Sequence, residues 1–254
     1  MIKKFIANCC IAVLLTVQVV FAGPLEDCKE KAEYGVPGAS GEIFCRKGYL
    51  LAHDPVRKTP IWVIEHLTVD KVTGSLPRKD KFRADPELPK GSRAELSDYK
   101  KSGYDQGHMA PSADMAWDEQ AMAESFYLSN MVPQVGVGMN RGIWKDLEGK
   151  VRKWALDRKS IYVFTGPIYA DNYKTIGGNA VAIPMKLYKI VFDPERKEAI
   201  SFIMPNEKLK SADMEKYLVS VRDVENDTGL DFLSALPEAE QDGIETVQPG
   251  GLWR

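Results

Sequence analysis

Residues 61–69 read IWVIEHLTV, a dense β-branched run of strand length with too little polarity to leave one face in water. Residues 161–165 (IYVFT), 180–183, 187–192 and 199–204 share that character, and Gly166-Pro167, Gly177-Gly178, Asp193-Pro194 and Pro205 punctuate them. Residues 71–101, rich in Pro, Gly, Lys and Asp, predict a long excursion over the surface. Residues 118–128 predict a helix, and Ser211 predicts the cap of a last helix running to about Arg222. Trp144, Leu147, Val151 and Trp154 recur at three- and four-residue steps, the buried stripe of a helix that begins near Met139-Asn140. On such a helix Asn140 projects from the same inward face, with Glu148 about 80° round from it. An amide there needs a helix cap, a buried hydrogen bond or a metal ion to satisfy it. Adjoining strands with helices between some of them predict an α+β layer architecture, without a second domain.

The amino terminus reads as an address rather than as structure. Met1-Ile2-Lys3-Lys4 is basic, residues 11–21 are almost wholly apolar, and Val20-Phe21-Ala22 suits a signal peptidase cut before Gly23. That run is shorter than the roughly 20 residues of a membrane span. Cys9-Cys10 raises lipidation as the alternative, against which stand Asn8, where a small residue is wanted, and the placing of the apolar run after the cysteines. Export leaves Cys28 and Cys45, which in an oxidising compartment predict one bridge closing the amino-terminal segment; a reactive or metal-binding thiol has no paired-cysteine motif to support it.

Removing Lys3 and Lys4 with the leader takes the formal charge from −2 to −4, so any polyanion must be met by a local surface rather than by the total. Residues 71–101 carry nine basic against five acidic side chains, and residues 213–245 ten acidic against Lys216 and Arg222. Charge runs are ordinarily solvated faces; this asymmetry permits a polyanionic ligand on one side and does not require it.

Three histidines, His53, His66 and His108, exclude a polyhistidine zinc site; the His-Glu-x-x-His and Gly-x-Ser-x-Gly signatures are absent. His66 alternates within a strand and reads as a packed core residue, and His53, beside Asp54-Pro55, as a turn residue. His108 keeps different company, in Tyr104-Asp105-Gln106-Gly107-His108-Met109-Ala110-Pro111. The preceding glycine allows close approach of backbone or ligand, and Asp105 is placed to orient the imidazole or a neighbouring turn. The residues alone leave catalytic and structural roles for His108 equally open. Phosphodiester cleavage supplies one coherent need, because a neutral imidazole takes a proton from water while a hard cation neutralises the departing oxygen.

The segment 104–111, then Phe126-Tyr127-Leu128-Ser129-Asn130-Met131-Val132-Pro133-Gln134, then Asn140 through Trp144 to Leu147-Glu148, resemble the DNA/RNA non-specific endonuclease family. Its members include secreted bacterial nucleases and mitochondrial endonuclease G, all with a ββα-metal site. The similarity runs on through Tyr162–Pro167, Val181–Pro184, Phe202–Asn206 and Thr228-Gly229-Leu230, and back to Trp62–Leu67, covering most of residues 55–233.

The resemblance implies a central, largely antiparallel sheet flanked by helices, with His108 as general base at a strand end. Asn140, on the helix that follows, is then the direct ligand of one hydrated Mg2+, with Mn2+ able to substitute. Glu148 holds metal-bound water rather than the ion, and Asn130 positions the scissile phosphate or the site's polar network. It implies water attack on phosphorus that leaves 5′-phosphate ends, and DNA and RNA as substrates gripped by their backbones, since phosphate contacts carry no base information.

Gln106 stands where the family usually has Arg; Gln can donate a hydrogen bond to phosphate but brings no charge, and Arg141 or Lys101 is placed to make up the difference. Arg78, in a poorly matching loop, reads first as an exposed surface residue. The implied organisation is a signal peptide (1–22), an amino-terminal segment with a Cys28–Cys45 disulfide (23–54), an endonuclease domain (55–235) and an acidic tail (236–254), periplasmic or extracellular. A homodimer is compatible with the sequence but not indicated by it. The rival reading is an exported nucleic-acid-binding protein with weakened or lost catalysis, of which Gln106 is the mark.

Overall fold

The computed structural model describes residues 25–254; the signal-peptide and lipidation expectations fall on residues outside that range. Along the chain run β1 (Glu42–Cys45), β2 (Leu50–Asp54), β3 (Thr59–Thr68), α1 (Val69–Val72), α2 (Leu96–Tyr99), β4 (Tyr104–His108), α3 (Glu119–Ser125) and β5 (Met131–Val135). They are followed by α4 (Trp144–Arg158), β6 (Ser160–Ile168), β7 (Thr175–Ile176), β8 (Val181–Ala182), β9 (Lys186–Asp193), β10 (Glu198–Pro205), β11 (Leu218–Val219), α5 (Val221–Thr228) and α6 (Glu238–Glu245). Seven strands form one antiparallel sheet in the order β1-β2-β3-β6-β9-β10-β11.

The central strands lack clean polar alternation because both of their faces are covered. Val63, Leu67, Ile161, Val163, Leu187 and Val191 pack with Trp144, Leu147, Val151 and Trp154 of α4. Trp62, Ile64, Tyr162, Phe164, Tyr188, Ile190 and Phe192 pack on the other side with Cys28, Val221, Val224, Phe232 and Ile244, from the amino-terminal segment, α5, the segment after it and α6. The predicted α4 stripe is therefore real, and its four residues are at most 3% exposed.

Apart from the sheet, β4 and β5 pair antiparallel from Tyr104↔Val135 to His108↔Met131 and lead into α4, the ββα unit of the expected fold. Gly107 is needed there, because a Cβ at that position would sit 2.1 Å from Gln134 Oε1. What approaches Gly107 closely is thus the neighbouring strand's side chain.

Several expectations are corrected. Asn140 does not lie on α4: residues 136–143 form an irregular wide turn, with non-helical backbone at Val137, Gly138 (φ 85°) and Gly142. The helix expected over 118–128 stops at Ser125, capped at its start by Asp118, whose side chain accepts from the N–H groups of Gln120 and Ala121. Ser211 opens only a 3-10 stretch, Ser211–Tyr217; the helix after it is capped by Ser220, which with Asp223 forms a reciprocal capping box. His53 is a fully buried residue of β2 whose Nε2 lies 2.8 Å from the Ser92 carbonyl, not a turn residue.

The two flanking segments are continuous with the rest. β2 pairs with β3 across residue 55, and Cys28 and Cys45 are joined by a disulfide. The acidic end contains α6, and the Arg158 guanidinium lies 3.5 Å from the centroid of Trp253. No described helix is long and apolar enough to cross a membrane.

Candidate active site

His108 is the last residue of β4, and its ring is held between Phe82 (centroids 5.4 Å apart) and Phe126 (5.3 Å). It is 7% exposed; Nε2 is sealed with no hydrogen-bond partner among the described residues. Burial, reinforced by the Arg78 charge, pulls its pKa down to about 3, so the ring is neutral at physiological pH.

The strand end is fixed by Asn130, which is fully buried. Its Oδ1 accepts from the Ala110 N–H at 2.9 Å, and its Nδ2 donates to the carbonyls of Ala110 (2.9 Å) and Ser125 (3.0 Å). Both ends of the carboxamide are occupied by backbone, and the residue is not among those that line the cavity in front of His108. Of its two expected roles, the geometry supports the one in the site's polar framework.

A cavity of about 430 Å³ opens in front of the ring, and Gln106, His108, Asn140, Arg141 and Glu148 all line it. Asn140 reaches it from the wide turn. Its Nδ2 donates to Asp105 Oδ2 at 3.0 Å, which leaves Oδ1 as the group available to a ligand. Asp105 also pairs with Arg141 Nε at 3.1 Å, so the carboxylate orients the neighbouring turn and not the imidazole.

Glu148 is half-buried on α4, and burial raises its pKa to about 7, with Lys189 the strongest opposing influence and Asp114 adding repulsion. Asn140 Oδ1 and the Glu148 carboxylate are oxygen donors, which suits a hard divalent ion that keeps much of its water. Among the described residues no group of three or more His, Cys, Asp or Glu could hold a metal, so a softer metal lacks its donor set.

The cavity also gathers cations. Arg78 lines it, donating from Nη1 to Ser112 Oγ (2.9 Å) and from Nε to Asp80 (2.6 Å), with its guanidinium 5.2 Å from the Phe126 centroid. It is half-exposed, as the surface reading had it, yet it belongs to the site. Lys145 and Arg152 are lining residues that sequence reasoning missed. Arg152 is held by Asp114 at 2.7 Å. Their signal was present: Lys145, Glu148 and Arg152 are spaced i, i+3, i+7 along α4 and so share one face. A hollow of about 490 Å³ around Arg57 and Tyr169 contains no histidine, and its Arg57 is paired with Asp54. Lys101 does not line the His108 cavity, which leaves Arg141 as the nearer substitute for the charge Gln106 lacks.

The family model described as DNA/RNA non-specific endonuclease matches residues 29–239. This chain belongs to that family. It is 36% identical to nuclease C1 of Cunninghamella echinulata var. echinulata, over 80% of this chain and 87% of the relative. It is 34% identical to human mitochondrial endonuclease G, over 80% and 73% of the two chains. A crystal structure of an EndoG/EndoGI complex superposes with a TM-score of 0.79 at 33% identity, covering 84% of this chain and 94% of that one. The fold is accordingly that of the ββα-metal nucleases, and the chain is a nuclease of the non-specific endonuclease type, with nucleic acid as substrate and a divalent ion implied.

Proposed function

We propose that the protein is a secreted, sugar-non-specific endonuclease that hydrolyses DNA and RNA with His108 as general base and one hydrated Mg2+, leaving 5′-phosphate ends. The observation that carries this reading is that His108 on β4 meets Asn140 and Glu148, from the turn and helix further along the chain, in one cavity rimmed by Arg78, Arg141, Lys145 and Arg152.

With Nε2 sealed, Nδ1 is the nitrogen left to take a proton from water, and the neutral ring has the lone pair to do so. A phosphodiester anion in the cavity offsets the Arg78 charge and so raises the basicity of the ring from its depressed value. Asn140 Oδ1 would hold the metal ion, and Glu148, on the helix that follows, would hold its water. Bound there, a Mg2+ or Mn2+ ion supplies charge neutralisation at the departing oxygen. Arg78 and Arg152, each oriented by a hydrogen-bonded partner, clamp the phosphate in forked geometry. Gln106 adds a neutral donor, and Arg141 supplies nearby charge. None of these groups reads a base or a 2′-hydroxyl, which is why both sugars are accepted. Export rests on the leader-like residues 1–22 and on the Cys28–Cys45 disulfide, which persists in an oxidising compartment.

Purified protein lacking residues 1–22 is to be incubated with plasmid DNA and with RNA, with Mg2+ or with chelator. Both polymers should be cut only with metal, and the product ends should accept ligation without prior phosphorylation. DNA retarded on a gel but left intact at every Mg2+ concentration would establish the binding-protein reading instead.

A further inference from the structure

Beside the disulfide lies a second cationic hollow, of about 460 Å³, lined by Asp27, Glu30, Lys31, Cys45, Arg46, Lys47, Lys71 and Trp117. The Cys28–Cys45 bond creates it by bringing the turn that carries Lys31 against the strand end that carries Arg46 and Lys47. Arg46 is occupied by Asp85 at 2.7 Å and by Glu87. Lys71, from α1, is 2.6 Å from Glu30 Oε1, with its ammonium 5.6 Å from the centroid of Trp117. Glu30 is further engaged by His66 at 2.6 Å.

Lys31 is the anomaly. It is only 5% exposed, and its ammonium has no hydrogen bond or ion pair among the described residues. Its nitrogen is nevertheless not sealed from solvent, so the end of the side chain opens to the hollow that the residue lines. Burial lowers its pKa, and the charges of Lys71 and Lys47 lower it further against the pull of Glu30 and Glu124. Glu30 lines the same hollow but is engaged by Lys71 and His66. A largely desolvated ammonium with no hydrogen bond of its own and two like charges near it is therefore stabilised further by an anion that offers it an acceptor.

We propose that this hollow is a second phosphate site, in which Lys31, Lys47 and Lys71 hold a backbone phosphate of the same nucleic-acid strand or duplex that is cut at His108. Trp117 offers the adjoining sugar or base a flat face. This rests on the endonuclease reading.

The placing suits it. Ser112 and Ala113 line the catalytic cavity, and Trp117 lines this one four residues further on. Four residues span at most about 14 Å. Duplex DNA carries a charge about every 1.7 Å of axis, so a duplex seated in the catalytic cavity has further phosphates within that distance for the second hollow to take. A protein whose total charge is negative gains from a second local cationic site, because affinity for a polyanion grows with each phosphate neutralised.

Steady-state cleavage of a long duplex and of a dinucleotide, whose single phosphodiester must sit in the catalytic cavity, tests the proposal with Lys31→Met and Lys47→Glu. Lys47 is exposed, so its variant reads the site even where Lys31→Met does not fold. Each variant should raise KM for the duplex about fivefold or more, with a salt dependence shallower by about 0.9 for each phosphate no longer neutralised, and the dinucleotide should be affected far less. Equal changes on the two substrates, or none on either, would overturn it.

A catalytically silent His108→Ala background, titrated with fluorescent duplex, gives the same comparison by binding alone and isolates this site from the catalytic reading. Wild-type protein that cuts neither substrate condemns the endonuclease reading; weakened duplex binding by Lys31→Met in the silent background would still support the phosphate site. Loss of inorganic phosphate binding in Lys31→Met with duplex binding intact would mark a site for free phosphate and refute a backbone contact.

Discussion

On the face of the sheet covered by α5 and α6, the central strands present Trp62, Ile64, Phe164, Ile190 and Phe192 to an almost wholly apolar layer. On the α4 face the same strands place Glu65, Thr165 and Lys189 among Val63, Val163 and Leu187, each of the three polar residues at most 1% exposed. Lys189 Nζ donates to Thr165 Oγ1 at 2.7 Å and stands 5.0 Å from the Trp144 ring centroid, while Glu65 Oε1 has no partner among the described residues. Buried charge is a weak source of stability and often a net cost. Within the sheet itself such charge lies on the face toward Glu148, Asp114 and Arg152, whereas on the other side the buried carboxylates, Glu225 and Glu245, belong to α5 and α6 and pair with Arg222. The strands' own polar residues thus mark the α4 face as shaped for the site and the opposite sheet surface as shaped for stability.

The largest expected effect sharpens this division. His108→Ala should lower turnover per folded molecule by more than about 100-fold, the scale of a lost general base, beyond any loss of stability from removing a ring packed between Phe82 and Phe126. Cleavage within a few-fold of wild type would remove the assignment.

Next come paired core substitutions. Phe164→Ala, on the apolar face, should cost about 3–5 kcal/mol of stability while leaving turnover per folded molecule unchanged. Lys189→Met should cost less, about 1–3 kcal/mol, by removing the donor to Thr165 and the charge that most offsets the burial of Glu65, and should lower turnover as well. Adding Glu65→Gln should restore stability but not turnover. Urea unfolding with parallel assays decides; loss of turnover in folded Phe164→Ala protein would break the comparison.

Smaller effects come from protonation. His108 is neutral in the fold down to about pH 3, whereas the unfolded chain takes up a proton near 6.5, so its contribution to stability is present above pH 6.5 and lost as pH falls toward 3. Glu148 works in the opposite sense: its folded pKa of about 7 exceeds the ordinary value of 4.5, so its contribution is present below 4.5 and lost as pH rises to about 7. The urea midpoint of Glu148→Gln should therefore rise relative to wild type between pH 5 and about 7; a pH-independent difference would contradict the burial argument.

The smallest effect is expected from Gln106→Arg, which adds a forked cation to the cavity rim and should lower KM several-fold with little change in kcat. An unaltered KM would show that Arg141 already fills that role.

Most strands are legible in the sequence, because β3, β6, β9 and β10 are buried on both faces and their apolar runs stand out whatever the register. The α4 stripe is legible for the same reason. Asn140 is harder, since its distance from Trp144 fits a helical turn, yet Gly138 and Gly142 take backbone shapes that detach it from the helix. β1 and β2 escape notice because four- and five-residue strands beside a cysteine have too short a pattern. His108 and Asn140 stand out by motif; Arg152 is marked in the sequence only by sharing a helix face with Glu148, and it is the fold that sets that face against the cavity. Asn130 illustrates the limit: a motif marks a residue as important, whereas its hydrogen bonds to Ala110 and Ser125 reveal what it holds.

The central claim is that an imidazole and a carboxamide share one cavity with a divalent ion. A Mg2+ titration of plasmid cleavage by wild-type protein and Asn140→Ala tests it most directly. Activity should saturate with Mg2+ in the wild type and be strongly reduced, with saturation shifted to higher Mg2+, in the variant. Superimposable titration curves would contradict it.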